Sequence, residues 1–203
     1  MRKIGIGITT FNRPDIFKLC LEQVTKYLPE NSKVYIAKDV PNISKAKNEC
    51  LEALKDCEHI FLFDDDCFPI AKDWHLPFIA AGLKHLLYMK PHHGISSNKG
   101  VYTVFTECSG VFMYLTKEVI EKVGYFGNYG RYGFEHAGYT HRIYKAGLIP
   151  SKYMTLNGTE KLIHSLDLDG PFNGIEAKPS LTVEEVKNSL QINKIVYAKE
   201  ITD

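Results

Sequence analysis

The chain has 203 residues, of which 44% are hydrophobic and 24% charged, and it carries a net charge of +1. That length suits one domain with a full core, and the near-neutral charge gives no electrostatic case for bulk binding to nucleic acid or an anionic membrane. Five cysteines without CxxC spacing read as reduced thiols rather than a disulfide framework. With no apolar leader and no apolar run long enough to span a bilayer, the sequence predicts a cytoplasmic protein.

Ile4 to Thr10 alternates apolar and small residues and reads as a first strand. Pro14 then suits the first turn of a helix striped by Ile16, Leu19, Cys20, Val24 and Tyr27. Lys33 to Ala37 is a second strand, ending at Lys38-Asp39. Ser44 is placed to cap a helix carrying Ala46, Cys50, Leu51 and Leu54. His59 to Phe63 is a third strand, so this part reads β-α-β-α-β and implies a parallel sheet.

That third strand breaks into Asp64-Asp65-Asp66. Adjacent carboxylates repel one another unless a cation lies between them. The carboxyl edge of an α/β sheet is also where ligands collect. Asp-x-Asp at such an edge suits a divalent metal and the phosphates of a nucleotide. The alternative is a solvated acidic turn that caps the next helix.

Farther on, Trp74 to Met89 reads as a helix, Pro91 to Ser97 as a loop, and Val101 to Phe105 and Gly110 to Leu115 as strands. A short helix opens at Thr116 and ends near Gly124. The stretch 124–133, rich in glycine and aromatics, reads as a mobile loop over a site. Phe134 to Ala146 is a helix stopped by Gly147, and Ile149 to Leu156 another strand. Leu162-Ile163-His164 is strand-like, and Thr182 opens a capped terminal helix through Leu190.

The order of these motifs resembles the nucleotide-sugar glycosyltransferases of the GT-A fold, most closely the inverting family 2, over roughly residues 2 to 167. The resemblance rests on Thr9-Thr10-Phe11-Asn12-Arg13-Pro14 after the first strand and on Asp39 after the second. Ala46-Lys47-Asn48, Asp64-Asp65-Asp66, Ser109-Gly110-Val111-Phe112-Met113 and Val123-Gly124-Tyr125-Phe126 complete the set. It implies a Rossmann-like domain over 1–170, with a mixed, mostly parallel sheet flanked by helices, and a C-terminal extension over 171–203 packed on it. The absence of an apolar anchor in the sequence fits a bacterial or viral cytosolic enzyme better than one of the secretory pathway.

By the same resemblance the donor is a UDP-sugar and the cofactor Mn²⁺ or Mg²⁺. Thr9, Thr10, Phe11 and Arg13 would hold uracil or phosphate, and Asp39 the base. Lys47, Gly110 and Tyr132 complete the donor site. Asp64 would meet ribose or metal, Asp66 the metal, and Asp65 stays ambiguous. His164 is the expected late-chain metal ligand, its imidazole favouring Mn²⁺.

Gly133-Phe134-Glu135-His136 departs from the family's Gly-x-Glu-Asp: His136 stands where an aspartate base is usual. Either Glu135 or His136 is the candidate base, and since some retaining GT-A enzymes have Gly-Gly-Glu-Asn at this place and no such base, the departure leaves inversion and retention both open. Tyr129, Tyr132 and Phe134 are candidates to stack on a sugar, with Trp74 on the acceptor side. The acceptor class stays open: glycan, protein, small molecule or modified nucleic-acid base. A nucleotidyltransferase is disfavoured by the missing glycine-rich phosphate loop. A non-catalytic carbohydrate-binding module of the same fold is the remaining alternative.

Overall fold

The computed structural model describes residues 3–202. In chain order it runs β1 Ile4–Thr10, α1 Pro14–Lys26, β2 Ser32–Lys38, α2 Ile43–Leu54, β3 His59–Asp64, β4 Cys67–Pro69, α3 Leu76–Ala80 and β5 His85–Leu87. There follow β6 Ile95–Asn98, β7 Tyr102–Phe105, β8 Phe112–Thr116, α4 Lys117–Val123, α5 Glu135–Lys145, β9 Met154–Leu156, β10 Ile163–Ser165, α6 Leu166–Asp169 and α7 Val183–Thr202.

Eight strands form one mixed sheet in the order β2-β1-β3-β8-β5-β9-β7-β6. β2, β1 and β3 are parallel to one another, so their carboxyl ends share an edge. Beyond β3 the pairing with β8 is antiparallel. β1 is buried along its whole length, which is why it reads as a continuous apolar and small run. Gly7 is needed there because a Cβ would sit 2.7 Å from the Leu62 side chain and 2.8 Å from the Cys50 side chain on α2. β4 and β10 form a separate antiparallel pair, with His164 opposite Phe68.

The first three strands and two helices lie where the sequence places them. Asn42, not Ser44, caps α2: its side chain accepts the Lys45 amide at 2.9 Å, and Ser44 is buried inside the helix. The expected helix over 74–89 is overturned. α3 spans only Leu76–Ala80, Gly82 adopts φ +67°, and the chain then enters the middle of the sheet as β5. A short apolar run buried on both faces carries no periodicity to separate strand from helix, and Leu86, Leu87 and Tyr88 make such a run. Part of the expected loop over 91–97 pairs with β7 as the edge strand β6.

The core is dense in aromatics on one side of β3. Phe61 and Phe63 meet the Trp74 ring edge-on at 4.8 and 5.4 Å between centroids, a favourable geometry. Trp74 is fully buried and its indole N–H donates to the Tyr27 carbonyl at 3.1 Å. It is a core residue, not a lining for an acceptor.

Candidate active site

The parallel register sets the first wall of the site. Thr9 lies opposite Asp64 at the carboxyl ends of β1 and β3, and the Thr9 hydroxyl donates to Asp64 Oδ1 at 2.8 Å. The chain then turns through Asp65 and Asp66 into β4. The Asp66 carbonyl accepts the Leu166 amide at 2.8 Å, fastening the turn to the start of α6. Three consecutive carboxylates are thereby sorted by environment. Asp65 is fully buried and bound by the Thr10 hydroxyl at 2.6 Å and by Arg13. Asp66 is 3% exposed, and its Oδ2 accepts from Arg13 at 2.8 Å. Asp64 keeps a side chain that is 22% exposed.

Asp64 and Asp66 line a cavity of about 780 Å³, with Thr9, Thr10, Phe11 and Arg13 at the same edge. Burial pushes Asp65 up to about 6 against the pull of Arg13 and Thr10. Burial also pushes Asp66 up to about 7, with Asp167 and Asp64 adding repulsion that Arg13 only partly offsets. Burial alone would lower the Arg13 pKa, but Asp66 and Asp65 outweigh it and raise it. Asp66 Oδ1 is buried without a hydrogen-bond partner.

A second wall of the cavity is the start of α5. Glu135 is 4% exposed. Its Oε1 accepts from Lys47 Nζ at 3.0 Å and faces His136 Nδ1 at 3.2 Å. Its Oε2 is buried without a partner. Lys47, 1% exposed on α2, bridges the walls: it also donates to the Gly110 carbonyl at 3.1 Å and stands 3.5 Å from Asp64 Oδ1. Burial would lower the Lys47 pKa, yet Asp64 and Glu135 raise it and hold the ammonium charged. Burial would raise Glu135, but Lys47 and His136 pull it well below the carboxylate range. Burial would lower His136, but Glu135 and Cys108 push it up to about 10. At neutral pH the ring is an imidazolium.

Other expected residues fall differently. Tyr132, 49% exposed, and Phe134 line the cavity. Tyr129 is fully buried with its hydroxyl on Glu200, so it does not face a sugar. Asp39 is exposed at the end of β2, outside the cavity lining, while its neighbours Val40 and Pro41 line it. His164 does not line the cavity either. Its Nε2 bonds to the Gly170 carbonyl at 3.0 Å, and its ring lies against Phe68 and Phe172. Asp167, three residues later, lines the cavity instead. α6 presents it because the Asp169 carboxylate ties down the Ser165 amide at 2.8 Å, the Tyr88 hydroxyl at 2.7 Å and Lys90 at 2.6 Å.

Among the described residues, no three His, Cys, Asp or Glu side chains stand together at metal-binding spacing. The donor set still fits a divalent cation that arrives with a diphosphate. Two carboxylates face one cavity, one of them with a buried oxygen lacking a partner. A hard cation of the Mg²⁺ type is commonly held by one or two carboxylates plus substrate phosphates and water.

No family model matches the chain. It is 32% identical over 168 residues to an uncharacterized glycosyltransferase of Acanthamoeba polyphaga mimivirus, an alignment covering 75% of this chain. The chain spans 65% of that relative's length. Drosophila β1,4-galactosyltransferase 7, solved with manganese, UDP-Gal and xylobiose, superposes with a TM-score of 0.54 at 15% identity, covering 91% of this chain and 79% of that one. This is the GT-A fold. GalNAc-T7, solved with UDP, GalNAc and Mn²⁺, shares it with a TM-score of 0.59 at 11% identity, over 98% of this chain and 49% of that one. The Asp64–Asp66 turn follows β3 at the carboxyl edge of the parallel strands and lines the cavity through Asp64 and Asp66. No described helix is long and apolar enough to cross a membrane.

Proposed function

We propose that the chain is a metal-dependent glycosyltransferase that moves a sugar from a UDP-sugar to an acceptor hydroxyl with inversion. The observation that carries this reading is one cavity lined by Asp64 and Asp66 from the strand edge and by Glu135, with one buried oxygen unpartnered, from the start of α5. The GT-A fold and the glycosyltransferase relative support it.

In this reading Asp64 and Asp66 hold the cation, which neutralises charge developing on the leaving diphosphate. Thr9, Thr10, Phe11, Arg13, Val40 and Pro41 form the nucleotide end, and Gly110 and Tyr132 border the sugar. Asp65 and Lys47 act from behind the lining. Asp65 orients Arg13, and Lys47 keeps Glu135 ionised while fixing where Asp64 and Glu135 point.

Glu135 takes the acceptor proton through Oε2, because Oε1 is committed to Lys47 and His136. A lowered pKa makes it a weak base toward a ground-state alcohol. The attacking oxygen, however, becomes an oxonium as its bond to the anomeric carbon forms, and an oxonium is a stronger acid than any carboxylic acid. His136 is already protonated at neutral pH, so it fixes and polarises Glu135 rather than accepting the proton itself.

A screen of UDP- and GDP-sugars, with nucleotide release measured in Mn²⁺ and in excess chelator, tests this reading. Release from a UDP-sugar that stops in chelator supports it. No release from any nucleotide sugar, or full activity without metal, contradicts it. Glu135→Gln should cut turnover by roughly 10²-fold or more with nucleotide binding little changed.

A further inference from the structure

The stretch 124–133 reads from its glycines as a mobile flap, yet from Tyr129 onward it is tied to the C-terminal helix. Asn193 is fully buried on α7, a helix whose other side chains are mostly exposed or half-buried. Its amide is fully used by the loop. Oδ1 accepts the Gly130 N–H at 2.9 Å, and Nδ2 donates to the Tyr132 carbonyl at 2.8 Å and the Gly133 carbonyl at 3.0 Å. A buried polar side chain with no apolar contact to offer is costly unless it satisfies groups that nothing else satisfies. Here those groups are loop backbone.

Neighbouring contacts serve the same segment. Leu190 occupies the space a Cβ on Gly133 would need, 2.6 Å away, and Gly133 has φ +84°. Tyr197 packs its ring on Phe134 at 5.3 Å between centroids. Phe134 itself has φ +70°, a left-handed conformation that a side-chain-bearing residue holds only when its surroundings enforce it. It immediately precedes Glu135. At the far end Glu200 binds the Tyr129 hydroxyl and, at 2.7 Å, Arg142 Nε, and Gly138 leaves room for the Tyr129–Glu200 pair.

We propose that Asn193 is a positioning residue. Through the backbone of Gly130, Tyr132 and Gly133 it imposes the left-handed turn at Phe134 that aims Glu135 into the cavity. The inference rests on the transferase reading for its effect on rate, but not for its effect on the loop. Displacement of a reacting group by about 1 Å can cost on the order of 10²-fold in rate, so loosening this turn acts on kcat. Asn193 bonds none of the strand-edge residues assigned to the nucleotide, so UDP affinity changes less than kcat.

Asn193→Leu, of similar size without the amide, and Asn193→Asp, which keeps the acceptor for Gly130 and loses both donors, test it together. If the leucine variant fails to fold, the aspartate variant carries the test. The first arm is amide hydrogen exchange. Peptides over 127–135 should exchange at least about tenfold faster than in the parent protein, while those over β1 and β3 stay unchanged. The second arm is kinetic. With the UDP-sugar that the parent protein turns over, kcat should fall roughly 10- to 100-fold while the affinity for UDP itself falls by less than about threefold.

Unchanged exchange over 127–135 overturns the proposal, as does faster local exchange with an unchanged kcat. Uniform loss of protection across the chain also overturns it, since that marks a merely structural residue. A parent protein that turns over no nucleotide sugar defeats the functional reading instead, and the exchange arm then upholds or overturns the positioning by itself.

Discussion

The two walls of the cavity are built by different means. The wall at Asp64–Asp66 comes from neighbouring parallel strands whose register alone brings Thr9 beside Asp64. The wall at Glu135 comes from a loop and a helix start held by side chains far away in sequence: Lys47 on α2 and Asn193 on α7. The first is set by backbone pairing, with Thr10 and Arg13 from the adjoining turn holding Asp65 and Asp66. The second depends on a few buried polar contacts, and losing one exposes the rest to rearrangement. Lys47 contacts both Asp64 and Glu135, so substituting it breaks the contrast most sharply.

Lys47→Met removes the buried cation between Asp64 and Glu135 and leaves Glu135, itself 4% exposed, without its main counter-charge. Breaking a buried pair from one side typically costs about 3–5 kcal/mol. Urea titration should show a loss of that size, with turnover abolished. A loss below about 1 kcal/mol, the scale of exposed pairs, would mean the bridge is solvated and the walls are independent.

The first wall was legible, and so were Glu135, His136, Tyr132 and Lys47 of the second; what holds the loop before Glu135 was not. Apolar alternation in Ile4 to Thr10 and the abrupt change from Phe63 to Asp64 are local signals, and they put the acidic turn at a strand end where the structure has it. The glycines of 124–133 are equally visible, but the partner that immobilises them is an asparagine some sixty residues later on a helix of weak amphipathicity, and no periodicity marks it. Asp167 was hidden for a related reason. His164 carries the more conspicuous side chain, whereas the cap of α6 and the Asp169 contacts decide which of the two meets the cavity. β5 escaped because its apolar run is too short to show a period.

The charge state of His136 sharpens the account of the second wall. Beside Glu135 its pKa is raised to about 10, so the ion pair contributes stability in full below the unfolded histidine value of about 6.5 and loses it as pH rises through about 10. Glu135 is lowered, so its share is present above the ordinary glutamate range and is lost only as pH falls through the depressed value. Histidine ring resonances followed by NMR should show His136 still protonated at pH 8. Titration near 6.5 would reinstate it as the candidate base.

A smaller effect is expected at the start of α7. The Thr182 hydroxyl accepts the Glu185 amide at 3.2 Å, while the Glu185 carboxylate accepts the Thr182 amide at 2.8 Å, a reciprocal cap. Thr182→Ala should cost about 1 kcal/mol, read as a modest drop in Tm. Exchange at the first turn of α7 should quicken, while the loop held by Asn193 keeps its protection. Loosening of that loop as well would show that α7 acts on it as one cooperative unit rather than through Asn193.

On the proposed function, the Asp64–Asp66 edge binds a nucleoside diphosphate through a divalent cation. Calorimetry with UDP, in Mn²⁺ and in chelator, on the parent protein and on Asp66→Asn tests it most directly. The account predicts binding of UDP by the parent only with Mn²⁺, and at least about tenfold weaker binding by Asp66→Asn with its fold intact. Equal UDP affinity in chelator, or in the asparagine variant with Mn²⁺, would contradict it.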